Sequence, residues 1–239
     1  AFNNLKQHGI EGVVAIGGDG TFAGAKVFTE EFNIPCIGLP GTIDNDLIGT
    51  DYTIGYDTAL NNVIEAVDKI KDTAASHDRL FFVEVMGKDA GFIALRSGIG
   101  VGAAAILIPE VNTDLNQLIK NLSAAYTRKK SSSIIMVAEG DDAGGAYKIA
   151  EKVKAHLPQY DTRVSILGHQ QRGGSPSALD RMLASQLGYE AVKALLNGKH
   201  SVMVGIVNKE VCYTPFDHAI KHHDKVNKDF LKLAEILAA

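Results

Sequence analysis

"GVVAIGGDGT", residues 12–21, runs five mostly apolar positions into a glycine-rich corner that carries a single acid. Residues 12–16 are apolar without alternation, which suits a strand covered on both faces. A helical pattern over 21–31 follows the corner. The same succession recurs outward along the chain. Strands are expected at 12–16, 34–39, 80–86, 104–108, 133–138, 163–167 and 202–207. Helices are expected near 21–31, 57–75, 91–101, 114–128, 144–156, 177–197 and 226–238. Within 57–75, Leu60, Val63, Ile64, Val67 and Ile70 form a 3.6-period stripe. Alternation of this kind predicts an α/β fold with mainly parallel sheets flanked by helices.

In open parallel sheets ligands bind just beyond the carboxyl ends of the strands. Four such ends carry glycine loops with charged side chains: GGDGT (17–21), PGTIDND (40–46), MGKDAG (86–91) and GHQQRGGSP (168–176). In GGDGT the glycines allow a phosphate close to the backbone, and N–H groups at a helix start bind anions. Asp19 suits a Mg²⁺ that bridges phosphate oxygens, and Thr21 suits an N-cap. A purely structural glycine turn capped by Asp19 is the competing reading. The Walker pattern is absent, which excludes an ordinary P-loop.

In PGTIDND, Thr42, Asp44 and Asp46 would point to one side if the segment is extended. One carboxylate there can take the proton of an attacking hydroxyl, and a second can position the first or bind metal through water. An Asx-rich turn capping the helix near 57 is the bland alternative, and a metal-holding DxD element of a glycosyl transferase is a third. Anion-binding side chains are spread through the later loops: Arg79, Lys88, Arg163, His169 and Arg172. Each taken singly reads as a solvated surface charge; their recurrence beside glycine turns favours phosphate. Glu139 suits sugar hydroxyls or a cap for the helix at 144. His222 and His223 read as a solvated patch.

The bulk numbers exclude some classes. A net charge of −4 gives no general attraction to nucleic acid or an anionic membrane. Hydrophobic content of 46% fills a core, and no apolar run approaches the ~18–20 residues that span a bilayer. Cys36 and Cys212 lack metal-ligand spacing and read as reduced core residues, so a cytoplasmic setting is expected. The chain opens on "AFNNLKQHG" without a Met, as though a helix were ending, with Gly9 as its stop; the expectation is that sequence belongs upstream of Ala1.

Taken together, "AIGGDGT", "CIGLPGTIDNDLIGTDYTIGYDTA", "VEVMGKDAG", "PE", "AEG" and "LGHQQRGGSPSALDR" closely resemble the bacterial-type ATP-dependent 6-phosphofructokinases, in the same order and from the first residues to about 230. The resemblance implies two Rossmann-like lobes: an ATP-binding lobe from 1–55 with 171–220, and a sugar-phosphate-binding lobe from 56–170 with 221–239. It implies a homotetramer that transfers the γ-phosphoryl of Mg-ATP to the 1-hydroxyl of fructose 6-phosphate. Asp19 would then bind Mg²⁺, with Gly18, Gly20, Thr21 and Gly41 near the ATP phosphates. Asp44 resembles the general base, Asp46 its neighbour, and Thr42 and Lys88 groups beside the transferred phosphoryl. Met86, Gly87, Glu139, His169 and Arg172 resemble the fructose 6-phosphate pocket, and Arg79 and Arg163 the arginines that reach it from an adjacent subunit.

Departures accompany the likeness. Pyrophosphate-using relatives carry Asp at the position of Gly20 and Lys at that of Gly41, so ATP is the expected donor. Lys88 replaces the family's usual Arg, which turns a donor fork into a point charge. Ala104 replaces a metal-binding Glu of the effector site, whose phosphate positions match Lys71, Gly102, Arg128 and Lys130. Another GGDGT kinase, acting on NAD or a lipid, is disfavoured by the PGTIDND and GHQQRGG loops. A pyrophosphate-dependent enzyme and a catalytically silent nucleotide- or phosphate-binding chain are the remaining alternatives.

Overall fold

The computed structural model describes residues 1–74, 79–128, 133–220 and 228–238. Lys130, His222 and His223 lie outside the described residues, as do position 75 and positions 226–227 at the ends of two expected helices. The chain divides into two compact units, Ala1–Asp57 with Pro176–His222, and Thr58–Ser175 with His223–Ala239.

The first unit is built on a four-stranded sheet in the order β1-β2-β7-β8. Its strands are β1 (Val13–Gly17), β2 (Cys36–Pro40), β7 (Val202–Val207) and β8 (Glu210–Pro215). The first three run parallel; β8 returns antiparallel, with Val207 opposite Glu210. Asn208 and Lys209 make that hairpin with φ of 51° and 70°, the conformation a two-residue turn needs to match strand twist. β8 escaped the sequence reading because its turn contains no glycine and its residues, EVCYTP, mix polar and apolar types.

Period-2 alternation along β2 sorts the core onto two faces. Cys36 joins Phe22, Leu47, Met203 and Phe216 on the side of α2 (Asp19–Phe32). Ile37 and Leu39 join Leu183, Leu187, Ala191 and Val204 on the side of α7 (Ala178–Leu196). Burying each Val, Leu, Ile, Phe or Met among them stabilises by about 1.5–3 kcal/mol. Gly38, between them, faces the α2 side: a Cβ there would stand 2.6 Å from Phe22 and 2.8 Å from Phe216. Those two rings stack with centroids 5.5 Å apart. The short α1 (Phe2–Gln7) lays Phe2 on Phe32 of α2 at 4.6 Å, and Gly9 follows it with φ 64°.

The second unit holds a parallel sheet in the order β4-β5-β3-β6. Its strands are β3 (Arg79–Val85), β4 (Ala105–Leu107), β5 (Ser133–Ala138) and β6 (Asp161–Ile166). Central β5 is buried at all six positions, whereas edge strand β6 is half exposed. Leu80, Phe82, Ile135 and Val137 pack under α5 (Leu115–Thr127) and α6 (Gly145–His156). On the opposite face Gly98 of α4 (Phe92–Gly100) sits so close that a Cβ would meet Ile106 at 2.6 Å and Met136 at 3.2 Å. In α3 (Tyr56–Ala74), Val63 and Val67 are the fully buried centre of the expected stripe. α8 (Lys228–Ala238) ends the described chain. Among the described residues no helix is long and apolar enough to cross a membrane.

Candidate active site

In the first unit β1 and β2 are neighbours, so the loops at their carboxyl ends are brought side by side. The Gly41 N–H donates to Gly17 O at 2.9 Å, and a Cβ on Gly18 would lie 4.0 Å from Thr42 Cβ. α2 begins at Asp19, with extended Gly18 as its N-cap. Thr21 therefore lies in the first helical turn rather than capping it, which corrects the sequence expectation. Its side chain covers Gly17 so closely that a Cβ at that position would meet Oγ1 at 2.2 Å. Gly20 is different: a Cβ there meets nothing within 4 Å. Among the described residues the Asp19 and Gly20 N–H groups at the helix start have no acceptor, whereas those of Thr21 and Phe22 donate to Gly18 O; with one half-buried acid beside open space, this is an arrangement that attracts anions.

The loop after β2 is not extended. It bends at Ile43–Asp44, and Asn45 takes φ 53°. Thr42, Asp44 and Asp46 therefore do not form an alternating row: Thr42 and Asp44 are half-buried, and Asp46 is only 2% exposed. The bend is over-determined locally. The Asp44 N–H donates to Thr42 Oγ1 at 3.3 Å, and buried Thr53 donates its hydroxyl to Thr42 O at 2.6 Å. Asn45 Oδ1 accepts the Thr53 N–H at 2.7 Å, and Asn45 Nδ2 donates to Asp51 O at 3.2 Å. Asp180, 3% exposed in the first turn of α7, accepts the Gly55 N–H at 2.8 Å and ties down the far side of the loop. Asn45, Thr53 and Asp180 went unassigned in the sequence. An Asn within a bend was the available sign, since Asn tolerates left-handed backbone.

Gly41 is small for a reason of its own. A Cβ there would stand 2.8 Å from Ile16 Cγ2 and 3.3 Å from Gly17 N, so packing of β1 on the loop already demands glycine.

In the second unit the loops after β3, β5 and β6 share one sheet edge. Gly87 and Lys88 have φ of 147° and 56°. A Cβ on Gly87 would meet Ala90 O at 2.2 Å, and one on Gly140 would meet Lys88 O at 2.1 Å. Glu139 Oε1 accepts the N–H groups of Gly87 at 3.3 Å and Lys88 at 2.7 Å. It does not cap α6, whose first turn is served by Glu84 instead: Glu84 Oε2 accepts the Ala146 N–H at 2.7 Å. Gln171, 1% exposed, accepts the Met86 N–H at 3.2 Å and donates to Gly168 O at 3.0 Å. Asn62 anchors the following backbone through Gly173 O at 2.8 Å. His169 and Arg172 stand exposed on a 3-10 turn (Gly168–Arg172), and Lys88 is exposed as well. In the adjoining loop Asp141, 5% exposed, accepts from Thr113 Oγ1 at 2.8 Å and from the Ala143 N–H at 3.0 Å. Burial raises its carboxyl above the ordinary value despite those hydrogen bonds.

Arg79 and Arg163 are placed elsewhere. Arg79 opens β3, and Met86 lies just past its end. At ~3.3 Å per residue the two are about 23 Å apart, longer than any side chain. Asp161 on β6 takes both arginines, at 3.3 Å from Arg79 Nε and 3.0 Å from Arg163 Nε. Of the effector positions, Lys71 donates to Val101 O at the end of α4, Gly102 follows with φ 61°, and Arg128 ends α5 exposed.

Known proteins share this arrangement. A paired α/β architecture with phosphate-type loops at strand ends defines the class. The family model described as Phosphofructokinase matches residues 1–195, and the chain belongs to the phosphofructokinase family. It is 55% identical over its whole length to the ATP-dependent 6-phosphofructokinase 2 of Bacteroides thetaiotaomicron, covering 73% of that protein. It is 53% identical to the ATP-dependent 6-phosphofructokinase 1 of Thermus thermophilus, covering 100% of this chain and 74% of that one. Among solved structures, the phosphofructokinase of Saccharomyces cerevisiae superposes with a TM-score of 0.86 at 31% identity, over 99% of this chain and 34% of that chain.

Proposed function

We propose that this chain carries the activity of an ATP-dependent 6-phosphofructokinase, transferring the γ-phosphoryl of ATP to the 1-hydroxyl of fructose 6-phosphate in glycolysis. The observation that carries this reading is the side-by-side placement of the two strand ends in the first unit. A helix start with open N–H groups adjoins a locked loop bearing Asp44, and the proteins most like it in sequence bear that enzymatic name.

Asp44 takes the proton of the attacking hydroxyl. Asp46 holds its neighbourhood in place and Thr42 offers a donor to the moving phosphoryl group, while Lys88, in the second unit, offers its charge to a phosphate. Gly18, Gly20 and Thr21 line the ATP phosphates. Asp19, half-buried at the start of α2 beside the open space at Gly20, is the residue that would hold Mg²⁺, an ion that typically takes one or two carboxylates and completes its shell with water and phosphate oxygens. The ion would supply neutralisation of phosphate charge.

Met86, Gly87, Glu139, His169 and Arg172 form the sugar-phosphate pocket in the second unit, the first unit being the nucleotide lobe. The distance along β3 argues that Arg79, with Arg163 held beside it on Asp161, serves a neighbouring chain's pocket, so the working form is a homo-oligomer, a tetramer by family likeness, in the cytoplasm. Lys71, Gly102 and Arg128 are the described candidates for an effector phosphate; Lys71 keeps donors beyond the one given to Val101 O.

Donor choice rests on Gly20 more than on Gly41. Packing against Ile16 explains Gly41, whereas nothing in the fold requires glycine at 20, and the space is left for a nucleotide. The test assays the full-length protein carrying this sequence with fructose 6-phosphate, Mg²⁺ and either ATP or pyrophosphate. Turnover with ATP alone is expected, and Gly20→Asp should depress it without lowering the melting temperature. Turnover with pyrophosphate alone would overturn the donor assignment; turnover with neither would support a silent phosphate-binding chain.

A further inference from the structure

Glu110, in the loop after β4, reaches back across the sheet edge to the start of α4. Its Oε1 accepts the Gly91 N–H at 2.8 Å. Its Oε2 is shielded from solvent and accepts no hydrogen bond among the described residues. Gly91 is the N-cap of α4 and supplies no side-chain cap of its own. A Cβ there would lie 2.6 Å from Glu110 Oε2 and 2.5 Å from Ile108, so glycine is what admits the carboxylate.

Helix starts are usually capped by a neighbouring Ser, Thr, Asp or Asn. Here the acceptor is imported from another loop, with one carboxylate oxygen stripped of water and unpaired, a costly arrangement. Residues 86–91 show what it accomplishes. Two consecutive residues, Gly87 and Lys88, hold positive φ, and Ala90 N–H closes the turn on Gly87 O at 2.9 Å. A lysine in left-handed backbone persists only where its surroundings over-determine it. Glu139 grips the near end of the turn at Gly87 and Lys88; Glu110 grips the far end at Gly91.

We propose that Glu110 is a positioning residue that, together with Glu139, clamps loop 86–91 from both ends and so sets the direction in which Lys88 and the Met86–Gly87 backbone face the sugar phosphate. The inference rests on the function proposed above. Glu110 touches no substrate; it acts through Gly91.

The test uses the full-length protein with three variants. Glu110→Gln keeps an oxygen for the Gly91 N–H, Glu110→Asp withdraws it by one methylene, and Glu110→Ala removes it. Misplacement of a positioned group on the 1 Å scale costs up to about 100-fold, so Ala and Asp should lower kcat/KM for fructose 6-phosphate by about 10- to 100-fold. KM for ATP should stay at the wild-type value, and Gln should recover most of the loss. Where the Ala variant fails to fold, Asp against Gln makes the same distinction. Equal shifts in both Michaelis constants, a Gln variant as impaired as Asp, or variants indistinguishable from wild type would overturn the clamp. A wild-type protein inactive towards fructose 6-phosphate would instead overturn the functional reading, and the inference with it.

Discussion

Asp161 holds Arg163 by two contacts on the same strand, Oδ1 to Nε at 3.0 Å and Oδ2 to Nη2 at 3.0 Å, while its Oδ2 also meets Arg79 across the ladder. The Arg163 hydrogen bonds, with Arg79 assisting, hold the Asp161 carboxyl below its ordinary value of 3.8. The carboxylate is therefore favoured in the folded chain. Its contribution is present above that ordinary value and is lost as pH falls through the lowered one. Exposed pairs are weak and screened by salt, so Asp161→Asn should lower the melting temperature slightly near neutral pH. The difference should vanish in strong acid and in 1 M salt, which thermal scans across pH and ionic strength will measure.

Asp44→Asn removes the proposed base but leaves a side chain of the same shape. Turnover in the full-length protein should fall by roughly 10²–10⁴-fold, with fructose 6-phosphate binding by calorimetry little changed. A near-normal kcat would sink the assignment.

Gly38→Ala pushes a methyl between Phe22 and Phe216, where the space is already taken. Overpacking of this kind costs about 1–3 kcal/mol. Urea unfolding should show a lower midpoint with an unchanged slope, because the fold is strained and not altered.

Asp141 tests the opposite sign of linkage. Burial raises its carboxyl, so the folded chain holds the proton more tightly than the unfolded one. The penalty is absent below the ordinary carboxylate value, grows as pH climbs towards the raised one, and stays constant above it. Relative to wild type, Asp141→Asn should gain stability through that window, read as melting temperatures that diverge between the two values and keep a constant offset at higher pH.

What the sequence made legible was whatever periodicity and composition encode. Seven strands and the main helices follow from apolar runs, because burial on two faces leaves that signature. β8 was lost for want of it, and β6 sits at an edge although its run reads as apolar. At the site, the glycines and acids were readable as types; the shape of their loops was not. The bend at Asp44 depends on Thr53, the far anchor on Asp180, 125 residues from Gly55, and the grip on Gly91 on Glu110. Such partners are chosen by three-dimensional proximity, which leaves no periodic trace.

The pairing of Ile37 with Val202 joins strands that the order of synthesis keeps far apart. On a ribosome adding ~5–20 residues each second, the partner of β2 arrives about 8–33 s after β2 itself. Through that interval one backbone edge of β2 and the apolar face destined for α7 lack their native cover, and slowing translation lengthens their exposure.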